Sequence, residues 1–395
     1  MREPSLFQRE ADPYKVYRQL HEIGTVLWDK WLGSWIVIGH EEIKQLSKDP
    51  RLSGARVDSF YEQLPVAAQA QIAPLKNALS DMMLFNEPPR HTRLRQLIKP
   101  GITPAIIREF AGVIEQLTDQ LLDDVIPHGR MDVIHDYSEP LTREVISRLA
   151  GVPECGKPFL QSWQGLLHEF YTLSCKEIPR ITALRAVFDE GTPARRNGSG
   201  TDAFSRMIAK QLQHDEYTDD EIFANFLLLI DAGQATTTHQ IGNAVLALIE
   251  HEDQQHLLRG RPELAANAAN EFLRFDSSVQ FTSRVALADI DIAGQRIEQG
   301  QSVALVLGAG NRDPRRYTDP DRLDLTRAAS DHLSFGHGIH YCLGAALAFA
   351  ETEIAISRLL SRAADIRLEE SDLIWVDSIN FRFLRRLPIR FTPVQ

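Results

Sequence analysis

Apolar side chains recur at three- and four-residue intervals along most of this chain, and strict alternation is confined to a few short stretches. Residues 105–126, AIIREFAGVIEQLTDQLLDDVI, carry the pattern of an amphipathic helix with one face turned to a core. Residues 138–150 and 158–175 repeat it. Thr218 precedes DDEIFANFLLLIDAGQATTTHQIGNAVLALIEHE, and Glu221 stands three residues on, the spacing of a capping box. The middle of that stretch is apolar on every side, which predicts a long central helix buried all round. Pro262 is placed to open a further helix through Arg274, where its missing N–H costs nothing.

Strand patterns are fewer. WLGSWIVIG (31–39) is a β-rich run ending in glycine, and two short strands fit 284–307, with turns at Gly294 and Gly300. RFLRRLPIRFTP (382–393) predicts a last hairpin or edge pair, because Pro388 suits an edge. ARRNGSGTDA (194–203) has the composition of a flexible linker. No internal repeat interrupts the pattern. The expectation is a mainly α fold with a small β region, a single large domain over 1–395 whose strands fall mainly in 25–60 and 284–307.

Composition narrows the function classes. With 43% hydrophobic and 25% charged residues in 395, the chain can bury an extensive core and enclose a cofactor together with a substrate. A net charge of −11 argues against a primary nucleic-acid role, which calls for a basic surface. The three cysteines, Cys155, Cys175 and Cys342, have neither a disulfide framework nor zinc spacing, so a reducing compartment, the cytoplasm, is expected. The N-terminal residues carry charges throughout, and there is no apolar run of about 18 residues that could span a bilayer. A soluble monomer is the expectation.

The richest chemistry lies in HLSFGHGIHYCLGAALAFAETEIAISRLL (332–360). Cys342 stands where a glycine loop meets an alanine-rich helix, and unpaired N–H groups at a helix start favour a thiolate. A lone cysteine is more often a buried structural thiol. Here Phe335, Gly338 and Gly344 accompany it, and the spacing Phe335-x-x-Gly338-x-x-x-Cys342-x-Gly344 resembles the haem-ligand signature of the cytochrome P450 family. The resemblance extends from about Pro13 to Pro393. It implies haem b held by Cys342, an arrangement that favours O–O cleavage.

Companion positions strengthen the likeness. Glu271 and Arg274 resemble the family's Glu-x-x-Arg pair, and Arg322, within NRDPRRYTDPDRLDLTR (311–327), matches the third member of a structural network. His91 and Arg95 in NEPPRHTRLRQLI (86–98), Arg284 in FTSRVA and His332 match positions that neutralise the haem propionates. Ala232-Gly233-Gln234-Ala235-Thr236 resembles the oxygen-binding groove, in which small residues leave room for dioxygen and Thr236 supplies the alcohol of a proton relay. Catalytic candidates are thus Thr236, Ala235 and Gln234. The departure is Ala235, where the family usually carries Asp or Glu. It points to an altered relay through Thr236 and water, to substrate assistance, or to chemistry other than hydroxylation.

By the same resemblance, substrate-lining segments are 60–85, 166–188, 228–236, 279–283 and 380–383, with Met82, Met83, Leu84, Phe170, Leu229, Val279, Phe281 and Phe381 as apolar candidates. No GxGxxG follows a strand, so electrons are expected from a separate ferredoxin and ferredoxin reductase. The expected activity is insertion of one oxygen atom into a small lipophilic or secondary-metabolite molecule. The alternatives are a peroxide-using or oxidative coupling or cyclising enzyme, and a non-catalytic haem sensor.

Overall fold

In the computed structural model, which describes residues 12–161, 166, 175–198, 200–214, 216–328 and 331–394, helix bounds follow the periodicity closely. The amphipathic stretches form helices at Pro104–Val125 and Glu139–Ala150. The central helix runs unbroken from Asp219 to Glu250. Its capping box closes as the spacing requires: the Glu221 N–H donates to Thr218 Oγ1 at 3.1 Å and the Thr218 N–H to Glu221 Oε2 at 3.3 Å. Pro262 opens a 3₁₀ turn, Pro262–Leu264, which leads into the α-helix Ala265–Phe275. Of 158–175, the described part begins with a 3₁₀ turn at Lys157–Leu160; 162–165 and 167–174 lie outside the described residues.

The chain divides into two compact units. One holds Met1–Ser53, Glu115–Ser138 and Thr236–Gln395, and contains every described strand. Its main sheet has the order β1-β2-β8-β5-β3, from Val26–Asp29 (β1), Ser34–Val37 (β2), Ser302–Leu305 (β8), Thr282–Ala286 (β5) and Leu52–Ser53 (β3). β2 and β8 pair in parallel at the middle of this sheet. Alternate residues of these strands feed two cores, Val37, Val303 and Leu305 on one face, and Ile36, Ala304 and Val306 on the other with Tyr14, Tyr17 and Leu20. A strand buried on both faces reads as a continuous apolar run, and so the periodicity shows WIVIG clearly. A hairpin of β6 (Ile290–Ile292) and β7 (Gln295–Ile297) turns at Gly294, whose φ is +75°. The 284–307 region thus holds parts of four strands where two were expected.

Two expectations are corrected. Pro388–Pro393 (β10) is the middle strand of a second sheet, between β4 (Arg130–Asp132) and β9 (Ala363–Leu368), not an edge. Pro388 is tolerated because it is the strand's first residue. The predicted linker 194–203 is shorter than expected: Ile178–Arg196 runs through its first three residues, and Asp202 caps Ala203–Gln213 by accepting from the Ser205 N–H at 2.8 Å, so that only 197, 198 and 200–202 among the described residues are irregular. Arg195 anchors this helix end, donating to the Gly151 carbonyl at 2.7 Å and lying over the Phe204 ring.

The second unit, Gly54–Ile114 with Glu139–Ala235, is helical. In it Arg90 and Arg93, from the helix Arg90–Ile98, both pair with Glu221 at the start of the central helix. No described helix is long and apolar enough to cross a membrane.

Candidate active site

A buried ion network underlies the cysteine loop. On the helix Ala265–Phe275 the Arg274 guanidinium is fully buried and bidentate to Glu271, at 2.7 and 2.8 Å. Its remaining donors reach the carbonyls of Asn311, Pro320 and Arg322 at 3.0, 2.8 and 3.2 Å. A buried pair repays its desolvation only when its hydrogen bonds are so complete. The third member is Arg327, whose Nε lies 3.2 Å from Glu271 Oε1 and whose other nitrogens hold the carbonyls of Thr318, Asp319 and Arg322. The expectation for Arg322 is therefore corrected: it joins the network by its backbone carbonyl. The signal was in the same quoted segment, but neighbouring arginines in a meander cannot be ranked without the path of the backbone.

The network reaches the cysteine loop through Asn311. Its Oδ1 accepts the Leu333 N–H at 2.6 Å, and its Nδ2 donates to Ser277 Oγ and Ser334 Oγ at 3.0 and 2.9 Å. Ser334 in turn donates to the Leu273 carbonyl. Beyond this anchor Gly336 and Gly338 take φ of +68° and +71°, conformations that suit glycine. A Cβ at Gly338 would also lie 2.2 Å from the Ser47 carbonyl. The turn closes where the Cys342 N–H donates to the Phe335 carbonyl at 2.9 Å. Cys342 is exposed, and Gly344 caps the helix Ala345–Arg362 with its Cβ position 4.0 Å from the sulfur.

Of the expected propionate contacts, Arg284 and His332 lie in this unit. Arg284, on β5, is buried and donates to Thr282 Oγ1 at 2.7 Å. Burial lowers the His332 pKa to about 4 against the pull of Asp331. The Ser334 N–H donates to its Nδ1 at 3.3 Å, so the neutral ring carries its proton on Nε2. His91 and Arg95 belong to the helical unit, one turn apart on Arg90–Ile98, with His91 buried. An accessible thiol in a glycine loop, with guanidinium and imidazole donors, fits a flat dianionic iron cofactor.

The central helix presents its groove residues unequally. Ala232 is exposed and Thr236 partly so, while Gln234 and Ala235 are buried. Gln234 donates to the Leu160 carbonyl at 3.0 Å, a packing contact, while its Oε1 is buried with no hydrogen-bond partner among the described residues. Asp231 is likewise engaged, accepting the Leu166 N–H at 2.7 Å. Gly233 is needed for packing: a Cβ there would lie 2.6 Å from Ile146. It therefore serves contact with the helix Glu139–Ala150.

Two of the expected substrate segments meet in one unit. Val279 and Phe381 form a β-bridge, flanked by Gln280 N–H to Asn380 O and Arg382 N–H to Ser278 O, both at 2.8 Å. Phe281 packs against the core of Tyr14 and Ile36. In the helical unit Met82 and Met83 are buried, the Met83 N–H bonded to Asn225 Oδ1; Leu84 is partly exposed and Leu229 is buried. Phe170 lies outside the described residues. The sequence reading missed His239 and Glu351. Glu351 is fully buried on the cysteine helix, with neither carboxyl oxygen hydrogen-bonded among the described residues.

A glycine loop presenting a thiol, anchored by a buried Glu–Arg network, is the mark of a haem-thiolate protein. The family description Cytochrome P450 matches residues 262–363. The biotin biosynthesis cytochrome P450 of Bacillus subtilis is 37% identical over 390 residues, covering 96% of each chain. The 6-deoxyerythronolide B hydroxylase of Saccharopolyspora erythraea is 32% identical, again over 96% of each. Among solved structures, P450BioI in complex with hexadec-9Z-enoic acid ligated acyl carrier protein superposes with a TM-score of 0.87 at 36% identity, over 96% of this chain and 98% of that one. The chain belongs to the cytochrome P450 family, and is a monooxygenase-type enzyme of the P450 fold.

Proposed function

We propose that this enzyme holds haem b and inserts one oxygen atom of dioxygen into a small lipophilic molecule of fatty-acid or secondary-metabolite type. The observation that carries the reading is Cys342, an exposed thiol whose loop is anchored through Asn311 to the buried Glu271–Arg274 pair. Bound haem supplies dioxygen activation, which a thiolate ligand favours. The chain's own residues do the rest. Cys342 would hold the haem iron, with Phe335, Gly338 and Gly344 shaping its loop. Arg284, His332, His91 and Arg95 would neutralise the propionates, as charged or neutral hydrogen-bond donors. Thr236 positions water for proton delivery on the side where Ala232 leaves space.

The lipophilic substrate is supported by the apolar side chains at the meeting of 279–283 and 380–383, and by relatives named for biotin biosynthesis, for hydroxylation of 6-deoxyerythronolide B and for a complex with hexadec-9Z-enoic acid ligated acyl carrier protein. Electrons come from a ferredoxin and its reductase, and the chain works as a monomer in the reducing cytoplasm, where its free cysteines persist. The alternative, a peroxide-using or coupling enzyme, is favoured by one observation, the apolar Ala235 at the place of the acid.

The test is optical. Purified protein, reduced and exposed to carbon monoxide, is expected to show a thiolate-type Soret band that Cys342→Ala abolishes; a band that survives that substitution overturns the assignment. Comparing ferredoxin-driven with peroxide-driven turnover then separates the two enzyme readings.

A further inference from the structure

The central helix lacks an acid at Ala235, and the next hydrogen-bonding side chain along the same stripe is unassigned. His239 stands four residues after Ala235 and three after Thr236, so both are its neighbours on the helix surface. Side chains of a helix lean back over the preceding turn, which directs the His239 ring toward Ala235 and Thr236. A methyl group at 235 leaves that space open. The ring is also fixed in place. It stacks on Phe383, centroids 4.0 Å apart with planes at 17°, and Phe383 stacks on Phe381 at 4.7 Å. These are the residues of the segment bridged to Val279. Yet the imidazole is not satisfied: Nδ1 is buried and has no hydrogen-bond partner among the described residues. A buried polar atom left unpaired costs stability, and a bound water or ligand group is the usual remedy.

We propose that His239 is the positioning residue that replaces the absent acid, holding a water against the Thr236 hydroxyl so that protons reach the oxygen side of the site. The inference rests on the haem-thiolate reading. Burial, with a smaller push from His135, lowers the ring's pKa to about 3, so it is neutral at working pH. A neutral imidazole offers one donor and one acceptor, enough to orient a water without storing a proton. The aromatic stack on one face leaves the ring edge to make that contact.

Two readouts need no substrate: the infrared C–O stretch of the reduced, carbon monoxide-bound protein, and the rate at which reduced protein reoxidises in air in H2O and D2O. His239→Phe keeps the ring stack and removes both nitrogens. It is expected to shift the C–O band, and to change the rate of reoxidation and its solvent isotope effect, in the direction Thr236→Ala does. His239→Asn, which restores a hydrogen-bonding group, is expected to return both toward the unmodified values. Ala235→Glu in the His239→Phe background is expected to do the same. If His239→Phe matches unmodified protein in both readouts, or if the Phe and Asn variants change them alike, the ring is packing and the inference fails. Should His239→Phe not fold, His239→Leu against His239→Asn and Thr236→Ala carries the same comparison, because Leu likewise removes both nitrogens. The thiolate-type band is read on every sample; its absence from unmodified protein counts against the haem reading, whereas an intact band with unmoved readouts counts against His239 alone.

Discussion

Glu271 receives two guanidinium groups and a backbone N–H from Asp324, so its charge is balanced without solvent. Removing Arg327 leaves part of that charge uncompensated. Arg327→Ala is expected to lower unfolding free energy by about 2–4 kcal/mol. Arg322→Ala should change it by less than about 0.5 kcal/mol, because only its carbonyl is used. Denaturant titration of both variants distinguishes Arg327 from Arg322 as the third member. Glu351 offers the opposite case. Burial pushes its carboxyl well above the usual range, so the folded chain keeps a proton that the unfolded chain releases above about pH 4.5. The stability Glu351 allows is therefore full below that pH and declines as pH rises toward the folded pKa. Glu351→Gln is expected to stabilise at neutral pH, with a gain that grows between about pH 5 and about pH 8. A gain that shrinks over this range would contradict it.

At the scale of elements, local chemistry and packing divide the work. The Thr218–Glu221 box is local, and its residues alone predict the start of the central helix. Thr218→Ala should cost about 1 kcal/mol, seen as a lower denaturation midpoint. Gly233 shows the other kind of constraint. Its Cβ would meet Ile146, so Gly233→Ala is expected to cost about 1–3 kcal/mol, partly recovered by Ile146→Val in a double-mutant cycle. Absence of that coupling would show that the two helices do not approach as closely as described. The same division explains the errors of the sequence reading. Pro388 reads as an edge residue from its missing donor, but the first position of a middle strand tolerates that loss equally. The linker composition at 194–203 holds for 197, 198 and 200–202, whereas 194–196 extend a helix that the tertiary contact of Arg195 anchors.

For the molecule as a whole, protection should follow burial on both faces. β2 and β8, paired in parallel with cores on either side, are expected to show the slowest amide exchange in their unit. The helix Val66–Ser80, with only Ile72, Leu75 and Leu79 buried and Pro74 inside it, should exchange orders of magnitude faster. Hydrogen exchange read by mass spectrometry tests this, and equal protection of the two segments would refute it.

By itself the sequence determined the helical character, the central helix with its cap, and Cys342 with its glycine loop. Each depends on residues close together in the chain, where period, capping and permitted φ act locally. Tertiary structure decided which arginine completes the Glu271 network, that Gln234 and Gly233 serve packing, and that His239 stacks on Phe383 beside the turn of Ala235 and Thr236. Those outcomes depend on which side chains meet from distant segments, and burial and hydrogen-bond satisfaction, which set them, have no signature in local spacing.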